Sequence, residues 1–324
     1  MKLLITGGAG YIGSHMVRLA QNLGHDITVL DNFSTGNRWA IKDCEILEVD
    51  LINKEALSKE LSGKSFDGVI HFAAKSLVGE SIEKPGLYYE TNLVGTLNLV
   101  QEMLKNDINK LVFSSSAAIF GNPTMKRVSE SHPKNPINPY GTSKLLVEKM
   151  LEDFSKYNEL NIACLRYFNA AGADLSADIG EAHNPETHLI PNIIISALKN
   201  NNNLRIFGNN YDTPDGTCIR DYIHVLDLAQ AHLLALEFLE KKQGFFSFNL
   251  GNGDGFSVLE VIKECEKVLN KKINYRFSKP RIGDPPILVA DSESAKNNLL
   301  WKRNFSSLEK IIETAAKWHE RNDI

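Results

Sequence analysis

The chain has 324 residues, 43% hydrophobic and 23% charged, with 36 basic side chains against 40 acidic ones and a formal net charge of −4. That is globular composition, with length for one large domain or two of moderate size. It holds no long basic run for a nucleic-acid partner, and its opening apolar run is too short for a signal peptide or a membrane span.

The first half alternates strand and helix signals. Lys2–Thr6 is a short apolar run ending in glycines, Tyr11–Leu23 reads as a helix and Asp26–Leu30 as a second strand. Glu45–Val49 predicts a third strand, Lys54–Leu61 a helix, Val69–Ala74 a fourth strand and Tyr88–Lys105 a long helix. Lys110–Phe113 is a fifth strand running into three serines, Gly141–Leu160 is helical, and Ile162–Tyr167 is a sixth strand. Near-continuous apolar strands between helices predict a parallel sheet covered on both faces. Right-handed crossovers make it a doubly wound, Rossmann-type α/β domain over residues 1–169.

After Asn169 the texture changes. Ala170–Pro191 reads as loop, and Asn200–Asn203 and Gly208–Gly216 are rich in turn residues. Helical patterns return at Leu226–Lys241, Ser257–Leu269 and Leu308–Trp318. These predict a smaller substrate-binding α/β domain over residues 170–324. Its boundary is expected to be discontinuous, with residues 223–250 packing back on the first domain. Such a unit would cover the carboxyl edge of the sheet, where doubly wound sheets bind ligands.

The four cysteines, Cys44, Cys164, Cys218 and Cys265, are scattered with no CxxC. Buried free thiols in a reducing cytoplasm are expected. The nine histidines show no HExxH or similar ligand spacing, so no metal site is expected.

The segment ITGGAGYIGSH places Gly7, Gly10 and Gly13 directly after the first strand and at the start of a helix. That context suits a pyrophosphate on the helix N-terminus. Asp31, closing the second strand, can accept from both ribose hydroxyls and would repel a 2′-phosphate, which favours NAD over NADP; the alternative is a turn residue. Asp50 ends the third strand within reach of an adenine edge, or is a simple strand-end acid. Three serines, 114–116, end the fifth strand and are expected to point hydroxyls into the cleft. Tyr140 and Lys144 follow, one helical turn apart on one face. A nearby ammonium favours the phenolate, so Lys144 is expected to lower the pKa of Tyr140. A serine hydroxyl on the same substrate oxygen completes a set suited to an alcohol that loses a proton as it gives up a hydride. Alone, the Tyr/Lys pair reads better as helix surface; the glycine turn, Asp31 and the serine strand tip it toward catalysis.

These residues resemble the extended short-chain dehydrogenase/reductase family over nearly the whole chain. The similarity includes TGGAGYIGSH, LDNFSTG, HFAAKSLVGES, YYETNLVGTLNL, YGTSK, LRYFNAAGA, ETHLIPNII, FNLGNG and RIGDPPILVADSESAK. The stretch IFGNNYDTPDGTCIRDYIHVLDLAQAH points within that family to its sugar-nucleotide epimerases. The resemblance implies Tyr140 as base, Lys144 as its partner on the nicotinamide ribose, and Ser116 as the catalytic hydroxyl. It implies that Tyr11, Ile12, Asp31, Asn32, Phe33, Ser34, Thr35, Gly36, Asp50, Leu51, Phe72, Ala73, Ala74, Asn92, Ser114 and Phe168 join the glycines around NAD. Ser116, Tyr140, Asn169, His188, Leu189, Phe207, Arg220, Arg281 and Asp284 match positions that hold a UDP-sugar. Two arginine forks suit a pyrophosphate, although Arg220 can also be read as pairing with Asp221 or Asp227.

The implied activity is reversible C4 epimerisation of UDP-galactose and UDP-glucose through a 4-keto sugar, with NAD retained through turnover. The implied assembly is a homodimer joined by helices near Asn92–Lys105 and Gly141–Leu160. The chain departs from its relatives at several positions. Ser76 stands where some carry a cofactor-reaching lysine, with Lys75 one place early, and Thr91 replaces an Asn. Phe120 replaces a common Tyr, and His188 a common Asn. Leu288 occupies a position whose bulk gates N-acetylated sugars, leaving UDP-GlcNAc and UDP-GalNAc open. The rival reading is a 4,6-dehydratase, but Ala117 and Ala118 fill the places of its proton-transferring Asp-Glu pair. A further rival is a non-catalytic NAD-binding module, which has no need of Ser116, Tyr140 and Lys144 together.

Overall fold

In the computed structural model, which describes residues 1–199, 204–281 and 283–322, strand and helix alternate from the N-terminus. The turn expected at Asn200–Asn203 lies outside the described residues. β1 (Lys2–Thr6) leads through a glycine turn to α1 (Tyr11–Asn22) and β2 (Asp26–Asp31). β3 (Glu45–Glu48), α2 (Lys54–Leu61) and β4 (Gly68–His71) follow. Two short helices, α3 (Val78–Glu83) and α4 (Pro85–Tyr88), run through a π-helical stretch, Tyr89–Val94, into α5 (Gly95–Lys105). Then come β5 (Lys110–Ser116), α6 (Pro139–Asn158), β6 (Asn161–Tyr167) and β7 (Asn169–Ala171). The remaining elements are α7 (Leu189–Leu198), β8 (Leu204–Phe207), β9 (Ile219–His224), α8 (Val225–Leu239), β10 (Phe245–Leu250) and β11 (Gly255–Ser257). α9 (Val258–Leu269), β12 (Tyr275–Ser278), β13 (Ile287–Leu288), α10 (Glu293–Leu299) and α11 (Leu308–Asn322) complete the chain.

Seven strands form one sheet in the order β10-β6-β5-β4-β1-β2-β3, every pair parallel. Its apolar runs are explained by burial on both sides. Leu3 and Ile5 of β1 pack with Val17 of α1 and Leu228 and Leu236 of α8. Leu4, between them, packs on the opposite face with Leu57 of α2, Leu99 of α5 and Val147 and Leu151 of α6. The period of two thus assigns consecutive residues to two separate cores. Gly68 lets α8 lie close on β4: a Cβ there would meet Leu236 Cδ1 at 2.6 Å.

The remaining strands form small sheets. β9 pairs with β11, β13 and β7, and β8 pairs with β12. A third core gathers Ile190, Ile193 and Ile194 of α7, Val261 and Ile262 of α9, and Ile311 and Ile312 of α11.

The structure departs from the sequence expectations in places. Ala170–Pro191 is not all loop, since α7 begins at Leu189. Pro191 is compatible with that helix because it sits in the first turn, where no intrahelical N–H is required. The fourth strand ends at His71, and the fifth continues through its serines to Ser116.

Candidate active site

A cleft of about 890 Å³ opens at the carboxyl ends of the large sheet, lined there by the residues that follow β1, β2, β3 and β4 and by the ends of β5 and β6. At one end the chain turns sharply from β1 into α1. Gly7 has φ +69°, and a Cβ on it would lie 2.5 Å from the backbone nitrogen of Ala73. A Cβ on Gly13 would lie 2.2 Å from Gly7 O. The turn and α1 can therefore close together only without side chains. Gly10 is the N-cap of α1 and supplies no side-chain acceptor, which leaves the first amides of that helix for an anion. Asp31 is buried at the end of β2, accepting from the backbone amides of Ala9 at 2.9 Å and Phe33 at 2.8 Å. Burial pushes its carboxyl up, and those two amides oppose the shift. Asp50 accepts from Asn32 Nδ2 at 2.8 Å. An uncapped helix start, a side-chain-free turn and a strand-end acid fit a dinucleotide.

Among the expected cofactor residues, Gly7, Gly10, Tyr11, Ile12, Gly13, Asp31, Asn32, Ser34, Thr35, Gly36, Asp50, Leu51, Phe72, Ala73, Ala74, Ser114, Tyr140, Lys144 and Phe168 line the cleft. Phe33 and Asn92 do not. The Phe33 ring lies 4.0 Å beneath the guanidinium of Arg38. Asn92 is buried behind the wall, accepting from Lys75 N at 2.8 Å and donating to Lys75 O and Ser143 Oγ. Its place is to hold the loop carrying Lys75 and Ser76, both of which line the cleft, as does Thr91.

At the reactive end, the strand period corrects the expectation for the three serines. Ser114 and Ser116 line the cleft, whereas Ser115 donates to Glu148 Oε1 at 2.6 Å in the buried interior. Glu148 in turn holds the buried Arg166 by two bonds, 2.9 Å from Nε and 2.7 Å from Nη2. The helix that carries the tyrosine starts where the sequence dictates. Asn138 caps it by accepting from Gly141 N at 2.8 Å, with Pro139 in the first turn. A Cβ on Gly141 would lie 2.4 Å from Ala118 O, so glycine permits the contact that brings Tyr140 beside the turn after Ser116.

The electrostatics at this end differ from expectation. Burial pushes the Tyr140 phenol above its ordinary value, opposed by the Ser116 hydroxyl. Burial lowers the Lys144 ammonium to about 7. Lys144 Nζ donates to Ser114 O at 2.7 Å. Within the cleft, desolvation therefore outweighs any help the ammonium gives the phenolate.

Asn169, His188, Leu189, Arg220, Arg281 and Asp284 also line the cleft. Phe207 is not among the lining residues; its ring centre lies 4.1 Å from the guanidinium of Arg281. Arg220 pairs with neither of the acids considered from the sequence. Asp221 accepts the amides of Asn252, Gly253 and Ala290, and Asp227 those of Asn304 and Phe305. Arg220 Nη2 instead stands 3.6 Å from Asp284 Oδ1 and is buried with no hydrogen-bond partner. A buried, unfilled donor at a cleft wall suits an anionic ligand.

Residues 3–251 match the family described as NAD dependent epimerase/dehydratase family. The chain belongs to that family. It is 48% identical over 322 residues to UDP-glucose 4-epimerase of Halalkalibacterium halodurans, covering 99% of this chain and 96% of that protein. The structure of UDP-glucose 4-epimerase from Bifidobacterium longum in complex with NAD+ and UDP superposes with a TM-score of 0.95 at 36% identity, covering 100% of this chain and 99% of that one. The UDP-Glc/GlcNAc 4-epimerase of Campylobacter jejuni superposes with a TM-score of 0.85 at 40% identity, covering 99% of each.

Against this NAD-dependent epimerase/dehydratase frame, the cleft also holds residues the sequence did not single out. Tyr167 bonds to Ser114 through its hydroxyl, and Tyr222 and Thr187 line the wall. Leu288 lines the cleft and packs with Ala117, Phe120 and Phe168. Phe120 itself is buried against His132 and Arg166, away from the cleft. Four residues before α7, Glu181, His183, Glu186 and His188, draw together. Burial would raise Glu181, but the His188 and His183 charges hold it at about 2. Burial would lower His183, but Glu181 and Glu186 hold it at about 10. Only His188 was singled out from the sequence, because the acids alternate with the histidines in no familiar ligand spacing.

Proposed function

We propose that this protein interconverts UDP-galactose and UDP-glucose by inverting C4 of the hexose. The observation that carries the proposal is that one cleft holds Ser116, Tyr140 and Lys144 together with Arg220, whose buried Nη2 makes no hydrogen bond. NAD+ bound along the glycine turn supplies a reversible hydride acceptor for C4. Tyr140 Oη takes the proton of the 4-hydroxyl, and Ser116 Oγ hydrogen-bonds the same oxygen as it becomes a ketone. Arg220 and Arg281 hold the diphosphate, so the 4-keto sugar can turn about its link to that group. Tyr140 then returns the proton to the oxygen of the opposite epimer. No net oxidation occurs, and no added reductant is needed.

The neighbours of Ser116 speak against a dehydratase. Ala117 and Ala118 line the cleft there and have no proton to exchange. Leu288, smaller than a tyrosine, is consistent with use of UDP-GlcNAc as well. The division at Asn169 into a cofactor domain and a UDP-sugar domain belongs to the same proposal. So do a homodimer through the helices at residues 92–105 and 141–160, where Val94 and Leu146 are exposed, and a cytoplasmic location, with which free cysteines agree. Among the described residues, no helix is long and apolar enough to cross a membrane.

The test is to incubate the purified protein with UDP-galactose and follow UDP-glucose by chromatography without added reductant. Conversion to an equilibrium mixture is expected. No conversion, or a 4-keto-6-deoxy product, would sink the reading.

A further inference from the structure

Glu181, His183, Glu186 and His188 each offer one ligand atom, and the four atoms all lie within 4.8 Å of one another. His183 Nδ1 is 3.2 Å from Glu181 Oε1 and 3.6 Å from Glu186 Oε2. His188 Nδ1 bonds to Glu181 and lies 3.9 Å from Glu186 Oε1. Ligands held about 2.0–2.1 Å from one tetrahedral ion stand roughly 3.3 Å apart, so small side-chain shifts would suffice to enclose an ion. His183 Nδ1 is shielded from solvent yet makes no hydrogen bond. Its distance to Glu181 is short enough for one, so the direction is what fails. A metal ion between the two would use both atoms.

The donor set decides the class of ion. Two imidazole nitrogens with two carboxylate oxygens suit zinc and its first-row neighbours, whereas calcium and magnesium take oxygen. Two carboxylates also balance one divalent charge. We infer that Glu181, His183, Glu186 and His188 form a binding site for one divalent transition-metal ion of the zinc class.

The surroundings give the ion a structural role. Glu181 O accepts from Trp318 Nε1 of α11 at 3.1 Å, and His188 O accepts from Asn192 Nδ2 of α7 at 2.8 Å. The ion would pin the segment between these two helices and fix His188 and Leu189 at the cleft wall. His183 and His188 line the same cleft as Ser116, Tyr140 and Lys144, but the ion takes no part in the chemistry at C4, so the inference goes beyond the epimerase reading and its test does not use turnover.

The experiment takes untagged, cofactor-containing protein, dialyses it against a chelator and titrates it with Co²⁺, followed by visible absorption. Zn²⁺ is then titrated in competition with a chromophoric chelator. One Co²⁺ per chain with the absorption of a four-coordinate ion, displaced by Zn²⁺, is expected. His183→Ala and Glu186→Gln should each weaken Zn²⁺ binding by more than the roughly 10–100-fold that follows loss of an outer-shell partner, with circular dichroism unchanged. No saturable binding, or equal binding in both folded variants, overturns the assignment. If either variant fails to fold, the wild-type melting temperature decides: a rise on adding Zn²⁺ is expected, and no change overturns it.

Discussion

Lys144 Nζ donates to the carbonyl oxygen of Ser114 at 2.7 Å and lies 4.7 Å from the centre of the Phe113 ring. The lysine of the Tyr-x-x-x-Lys pair is thus anchored to β5, the strand that ends in Ser116. The same contact aligns the two elements that carry the reactive groups. Its cost is burial of an ammonium, which lowers its pKa to about 7.

That cost has a pH signature. Below pH 7 the lysine is protonated in both folded and unfolded chains. Above it the folded lysine loses its proton, while the unfolded one keeps it until its ordinary value of 10.5. The unfolded state then binds more protons, so stability rises with pH in this window. For cofactor-free protein, Lys144→Met should flatten the rise between pH 7 and pH 9 by about 2 kcal/mol. Urea unfolding at each pH measures it, and identical slopes in the two proteins would remove the claim.

Tyr140→Phe removes the hydroxyl but keeps the ring, which meets Tyr88 edge-on at 6.4 Å between centroids. The fold and the cofactor content should therefore be unchanged. Epimerisation should fall by about 10²–10⁴, the usual contribution of a general acid–base group. Turnover near wild type would take Tyr140 out of its role.

Arg220→Met deletes a guanidinium whose Nη1 donates to Ile219 O at 2.9 Å and whose buried Nη2 makes no hydrogen bond, while keeping the apolar stem. Loss of a hydrogen bond to a charged group costs about 1.5–3 kcal/mol, so the variant should bind UDP roughly tenfold to over a hundredfold more weakly. Calorimetric titration with UDP measures this. Unchanged affinity would move the diphosphate elsewhere in the cleft.

The sequence made the large sheet legible because its strands are buried on both faces and its helices on one, as Leu3, Leu4 and Ile5 illustrate. The glycine turn was legible because backbone contact, at Gly7 with Ala73, admits no other residue. What stayed hidden depends on tertiary direction. Three consecutive serines look alike in sequence, and only the pleat of β5 turns Ser115 away to Glu148. α7 was hidden because its residues, Leu189–Leu198, are apolar around most of the helix and therefore lack a one-sided period. The sign of the pKa shift at Tyr140 was hidden because burial, which opposes the lysine, is a property of the folded cleft.

The buried Arg166–Glu148 pair shows how the reactive strand is held from behind. Both groups are almost fully buried and joined by two hydrogen bonds, with Ser115 completing the set. Glu148→Ala strands a buried guanidinium, and about 3–5 kcal/mol of stability should be lost. Replacing both partners with apolar residues, Glu148→Leu with Arg166→Met, should recover much of that. Chemical unfolding of the single and double variants tests it. A double variant no better than the single would mean that packing, not the orphaned charge, sets the loss.

Leu288 offers a separable test of the sugar pocket. It is buried against Ala117, Phe120 and Phe168 with one face on the cleft. A tyrosine there would fill space that an N-acetyl group needs, and an alanine would enlarge it. Contacts of this size are worth about 1–3 kcal/mol. Leu288→Tyr should therefore lower kcat/KM for UDP-GlcNAc relative to UDP-glucose by roughly 10–200-fold, while Leu288→Ala should raise the ratio. The ratio cancels general losses of folding or cofactor, because both substrates are measured on one preparation. If both variants leave it unchanged, Leu288 does not gate the pocket, and the other walls of the cleft set its size.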